Sequence, residues 1–207
     1  ATSEQKTAAL GAQSKALQVS NVIVQSSAAM KSGSGDATRN SSAKAVTNAI
    51  AAKVAESAEA DKEIDLTDTT TLGSIIETAA IEVGETEVAA QSSKLASIAS
   101  TSNRSAVEAT TIEALAKVAV VSQGDLVTDI EAAVTAGGEL DSVVESYSEE
   151  NLATAIEAAE VGTIFQTKES DKGEGTGTDE GTGTDEGTGT GEGTDTGEGT
   201  DTGEGTD

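Results

Sequence analysis

The chain has 207 residues, with 12 Lys and Arg against 37 Asp and Glu for a formal charge of −25; His, Cys, Pro and Trp are absent, and Tyr, Phe and Met occur once each. A balance this acidic, with so few aromatic rings, excludes phosphate-backbone contacts and base stacking, so no nucleic-acid partner is expected. The lack of His and Cys excludes the usual zinc, haem, iron–sulfur and Cys- or His-based catalytic sites, and no apolar run approaches the ~20 residues that cross a bilayer.

Residues 1–167 read as one alanine-rich helical bundle domain of the all-α class, since no segment sustains period-two alternation. Over 4–30, Leu10, Leu17, Ile23 or Val24 and Met30 recur near helical spacing and predict a long amphipathic helix, ended by Ser32, Gly33, Ser34, Gly35 and Asp36. Over 41–58, Val46, Ala49, Ile50, Lys53 and Val54 form one stripe in which the lysine must snorkel to water. Thr67 or Asp68 caps a third helix reaching about Val83, with Leu72, Ile75, Ile76, Ala79 and Ala80 inward and Gly84 as its stop.

The spacing of Val88, Gln91 or Ser92, Leu95 and Ile98 predicts a helix over 85–103. Ser105 then opens a stretch through Val107, Ile112, Leu115, Val118, Leu126, Ile130 and Val134. A break is expected within it, with Gly124 just past one helix end and Asp125 capping the next. Gly137 and Gly138 stop that stretch, and a short helix over 139–147 follows. Ser148, with Glu149 and Glu150 in the first turn, caps a last helix through Leu152, Ala155 and Ile156 to Gly162. Tyr147 and Phe165 read as plugs of the core, with Phe165 tucked back onto the bundle. The core relies on small side chains, so helices must approach closely to gain from burial, and no disulfide can reinforce them.

Four runs, AKVAVVSQGDL (116–126), IEAAV (130–134), GGELDSVV (137–144) and NLATAIEAA (151–159), together with Ser148, are similar to an alanine-rich helical module of large secreted calcium-binding bacterial proteins. IDLTD (64–68) with Leu72, and NVIV (21–24), resemble the first half of the same module. In that family the module accompanies cadherin-like or haemolysin-type repeats. The resemblance implies an extracellular or cell-surface, multidomain parent in which the module is a spacer or stalk, and it transfers no functional residues. Ala1 in place of a starting Met fits a processed or partial chain, with which a secreted origin is compatible.

Residues 168–207 form a low-complexity acidic tail or linker, and 173–207 contain only 13 Gly, 11 Thr and 11 Asp or Glu. The preceding 172 residues hold every apolar side chain, with 26 acids against 12 bases. The tail settles into the unit Thr-Gly-Glu-Gly-Thr-Asp over 190–195, 196–201 and 202–207. With no inward apolar position, that unit supports neither a solenoid nor the haemolysin-type nonapeptide, and its glycine spacing is not collagen's. Disorder is the expectation, because nothing is buried to offset the ordering entropy.

Flexible carboxylates among backbone carbonyls and Thr hydroxyls are oxygen ligands for calcium. The candidate metal ligands are Glu174, Asp179, Glu180, Asp185, Glu186, Glu192, Asp195, Glu198, Asp201, Glu204 and Asp207. No calmodulin-type loop occurs, so association of the weak, millimolar class is expected, and an acidic solvated linker remains the plain alternative. Glu77, Glu82, Glu85 and Glu87 read as a solvated acidic face, since nothing nearby in sequence would shift a carboxyl pKa. Asn40-Ser41-Ser42 and Asn103-Arg104-Ser105 fit glycosylation acceptors and equally fit inter-helix turns. No catalytic site and no cofactor beyond weak calcium are expected. Two functions stay open: a structural module of a surface, adhesin-like, matrix or filament protein, and a self-associating module whose alanine stripes pack against copies of themselves into an oligomer or fibre.

Overall fold

The computed structural model describes residues 2–33 and 35–161. They belong to a compact unit, Ala1–Gln166, and among them the structure is all-helical, with no strand. The chain runs through α1 (Ser3–Ser32), α2 (Arg39–Glu59), α3 (Thr69–Glu82), α4 (Thr86–Ala90) and α5 (Ser92–Glu108). It continues through α6 (Ile112–Val120), a π-helical turn (Val121–Asp125), α7 (Leu126–Thr135), α8 (Asp141–Ser146) and α9 (Glu149–Ala158). The long α1 is the axis of the bundle: α2, α5, α6, the π turn and α7 all pack against it, and α3 fills the space between α2 and α5.

Local chemistry places the helix ends. Thr2 and Gln5 form a reciprocal capping box at the start of α1, as Thr38 and Ser41 do at the start of α2. Asp68, one of the two expected caps, accepts the Thr71 amide at 2.7 Å, and that bond holds its carboxyl below the usual carboxylate range. Gly84 ends α3 with φ +81°, a left-handed conformation that lets the Glu85 amide reach back to the Ala80 carbonyl at 2.8 Å. Gly137 does the same after α7 with φ +64°.

The main core gathers Val22, Met30, Val46, Ile50, Leu72, Ile75, Ile76, Leu95, Ile98, Leu126, Ile130 and Leu140. Between them lie Ala29, Ala45, Ala49, Ala79, Ala80, Ala96 and Ala99, whose small side chains let the helices approach. Each such methyl contributes roughly 0.8 kcal/mol, against about 1.5–3 kcal/mol for a buried Leu or Ile. A second, smaller cluster joins Ala106, Leu115 and Val118 to Leu10, Leu17, Ala109 and Ile156.

Several expected boundaries move. The helix predicted over 85–103 is two helices, broken at Gln91, and the second runs past Ser105 to Glu108. The interruption falls instead at 109–111, where the Thr111 hydroxyl caps α6 by accepting the Ala114 amide at 3.0 Å. No break occurs at Gly124: the Leu126 amide bonds the Val121 carbonyl, and the helix widens for one turn without ending. Ser148 stands at the head of α9 without a side-chain capping bond, and α9 stops at Ala158, short of Gly162. The stripe predicted on α2 ends after Ile50, since Val54 is exposed and Lys53 pairs with Glu56 at 2.7 Å.

Tyr147 is half-buried against the main core, as its reading as a plug requires, and its hydroxyl donates to Asp129 at 2.7 Å. Burial first, and the Asp129 carboxylate second, push the phenol well above its ordinary range. A pKa raised on folding supplies stability that is complete below the unfolded value of about 10 and is lost as pH climbs past it. Denaturation midpoints of the wild type should therefore fall more steeply above about pH 10 than those of Tyr147→Phe. The single tyrosine allows the tyrosinate absorbance to report the titration directly. Parallel pH profiles for the two proteins would contradict this account.

Candidate functional site

The eleven expected carboxylate ligands, from Glu174 to Asp207, and Phe165 lie outside the described residues. Among the described residues no group of three or more acidic side chains gathers as a metal site would require. Glu77, Glu82 and Glu87 are exposed, as a solvated face demands, but Glu85 departs from that expectation and is only 1% exposed.

Glu85 sits between the Gly84 turn and the head of α4, and its carboxylate points into the loop joining α1 to α2. It accepts the Gly35 amide at 3.2 Å and the Ala37 amide at 3.4 Å. A Cβ at Gly33 or Gly35 would overlap the carboxylate, so glycine at both positions is what allows the backbone to close around the charge. Backbone donors aimed at a carboxylate replace part of the lost hydration, and the bond is stronger than one between neutral groups. The arrangement is an anchor: it pins the α1–α2 turn to the far end of α3.

The largest polar assembly is buried along α1. Ser14, Gln18, Asn21 and Gln25, spaced four, three and four apart, share one face of the helix. The Ser14 hydroxyl donates to the Ala106 carbonyl at 2.7 Å. The Asn21 amide donates to Asn103 at 3.2 Å, and Asn103 passes its own amide to the Leu66 carbonyl at 2.7 Å. The oxygen of Asn21 faces Ser122 at 3.0 Å and Gln123 at 3.1 Å, both delivered by the π turn. One turn further, the Gln25 amide reaches Ser102 at 3.2 Å and the Ser122 carbonyl at 3.1 Å.

Nearby, the Ser100 hydroxyl donates to the Thr67 carbonyl at 2.5 Å, so Ser100 and Asn103 together tie down the α2–α3 link. That link forms the wall of a cleft of about 500 Å³ lined by Lys15, Gln18, Val19, Ile64, Leu66 and Val107, with a Lys15–Glu63 ion pair at its rim. A second groove, of about 510 Å³, lies between the first turns of α1 and residues 110–112. Charged side chains elsewhere form exposed clusters, in which Lys94 pairs with Asp141 at 2.7 Å and with Glu139 at 3.2 Å. Lys31 and Arg39 both pair with Glu131.

Sequence reasoning missed this seam because on α1 it followed only the apolar residues Leu10, Leu17, Ile23 or Val24 and Met30. The signal was the spacing of Ser14, Gln18, Asn21 and Gln25, as regular as that of any apolar stripe. Asn103, read as part of an acceptor for glycans or a turn, is fully buried in the middle of α5, whereas Asn40 is exposed in the first turn of α2. No helix of the described residues is long and apolar enough to cross a membrane. Set against known proteins, the chain matches no family model, no curated protein and no solved structure.

Two substitutions separate these roles. Asn103→Ala strands the Leu66 carbonyl and the Asn21 amide, and it should cost about 2–4 kcal/mol in denaturant unfolding; a loss within error of zero would show that the seam is not holding α1. Glu85→Ala should cost about 1–3 kcal/mol and speed hydrogen exchange at Gly35 and Ala37 while leaving amides along the seam protected. Uniform loss of protection would contradict a local anchor.

Proposed function

We propose that the chain is a non-catalytic structural module of an extracellular bacterial surface, matrix or filament protein, whose acidic C-terminal string takes up calcium weakly. The observation that carries this reading is the partition of charge along the chain. Residues 173–207 hold eleven carboxylates and no base, joined to a helical body that contains every apolar side chain. Carboxylates spaced by glycine meet calcium's demand for several oxygen ligands without imposing a fixed geometry, which favours many weak encounters over one tight site. The similarity of the body to a helical module of secreted calcium-binding proteins supports the same reading.

Self-association is the alternative that alanine-rich stripes suggest. In the bundle those stripes already face one another, with Ala28, Ala29, Ala45, Ala79, Ala80, Ala96 and Ala99 buried inside a single chain, which supports the module over the assembling fibre. Calorimetric titration of the full chain with calcium should give a dissociation constant of the millimolar class that weakens as sodium chloride is raised. Light scattering should report a monomer throughout. A tight one-to-one site, an absence of calcium uptake, or growth in mass with calcium would each overturn the proposal.

A further inference from the structure

The cleft beside the α2–α3 link is walled by Val19 of α1, by Ile64 and Leu66 of the link, and by Val107 in the last turn of α5, which is 57% exposed. The link is fixed as a wall, since Asn103 and Ser100 hold the Leu66 and Thr67 carbonyls. One side chain lining this space differs from its neighbours on α1. Ser14, Asn21 and Gln25 all bond to the helices opposite. Gln18 is only 8% exposed, yet its amide nitrogen makes one long bond, to the Ser14 hydroxyl at 3.4 Å, and its amide oxygen accepts no hydrogen bond from any described residue. A nearly buried amide with a donor and an acceptor to spare, lining an apolar cleft of about 500 Å³, has the make-up of a small-molecule site. In such sites apolar walls hold the body of the ligand and a few polar groups fix its orientation.

Charge narrows the ligand. Lys15 is already paired with Glu63, and Asp65 accepts the Thr67 amide at 2.8 Å and its hydroxyl at 2.7 Å, which leaves the lining with an excess of one carboxylate. A carboxylate ligand would be repelled there and has no proton to give the Gln18 oxygen. We propose that the cleft binds a neutral, largely apolar molecule bearing a primary amide. The ligand N–H donates to the Gln18 oxygen, its carbonyl accepts the second Gln18 N–H, and its hydrocarbon body covers Val19, Ile64, Leu66 and Val107. Two amides close such a reciprocal pair only when the ligand carries its N–H and C=O on the same side. A trans secondary amide, the form of the peptide bond, holds them on opposite sides and makes one bond at most. The site goes beyond a structural role and is independent of whether the acidic string takes up calcium.

Three probes of one shape test the assignment on the full-length, methyl-labelled chain by carbon–proton correlation spectra. 3-Phenylpropanamide should shift the methyl groups of Val19, Ile64, Leu66 and Val107 saturably, with the millimolar-class constant of so small a molecule, and leave Leu10 and Ile112 of the other groove in place. Its N-methyl amide and 3-phenylpropanoate should each bind about tenfold more weakly. Gln18→Met keeps the length of the side chain and should abolish the preference for the primary amide. Val107→Trp fills the cleft from an exposed position and should abolish binding with helical circular dichroism unchanged. No saturable shift up to about 10 mM overturns the proposal. So do equal affinities for the three probes, shifts spread to Leu10 and Ile112, or a preference that survives Gln18→Met. The wild-type titrations decide the matter even if a variant fails to fold.

Discussion

The bundle depends on a hydrogen-bonded seam in a place where most helical proteins put leucine. Alanine-faced helices approach closely but gain little area per position, so apolar burial alone discriminates weakly between neighbouring registers of α1. Asn21 removes that ambiguity. Its amide meets Asn103 and its oxygen meets Ser122 and Gln123, and a slip of one turn would leave all of these groups buried without partners. A comparable device, a single buried asparagine on an apolar seam, sets register in coiled coils at some cost in stability.

The π turn serves the seam. Widening the helix between α6 and α7 by one residue turns Ser122 and Gln123 toward α1 while Leu126 and Ile130 still reach the main core. Gly124 sits inside the widened turn and not at a helix end, and a Cβ there would face open space. Glu85 plays a comparable part at the opposite end of α3, where one carboxylate and two glycines close the α1–α2 turn. In both places the bonds reach partners distant in sequence: Ser122 and Gln123 meet Asn21, and Glu85 meets the amides of Gly35 and Ala37.

That distance explains what was legible beforehand. The helical class, the three inward residues Leu72, Ile75 and Ile76, the Asp68 cap and the stops at Gly84 and Gly137 follow from local spacing and turn chemistry, and the structure has them. The break at 109–111 was missed because Ser105 looked like a cap, although a hydroxyl at that point bonds the Thr101 carbonyl within α5 instead. Glu85 was misjudged because its partners, Gly35 and Ala37, lie some fifty residues earlier, where no local pattern could link them. The seam fell between these cases: its periodicity was visible on α1, but its meaning required knowing that Asn103 and Ser122 face it.

The antiparallel course of α9 along α6, with Leu10 and Ile156 in one cluster, brings the start of α1 and the close of α9 to the same end of the bundle. Tension applied between those two points would strip the outer helices away one contact after another, like opening a zip, instead of shearing the whole interface at once.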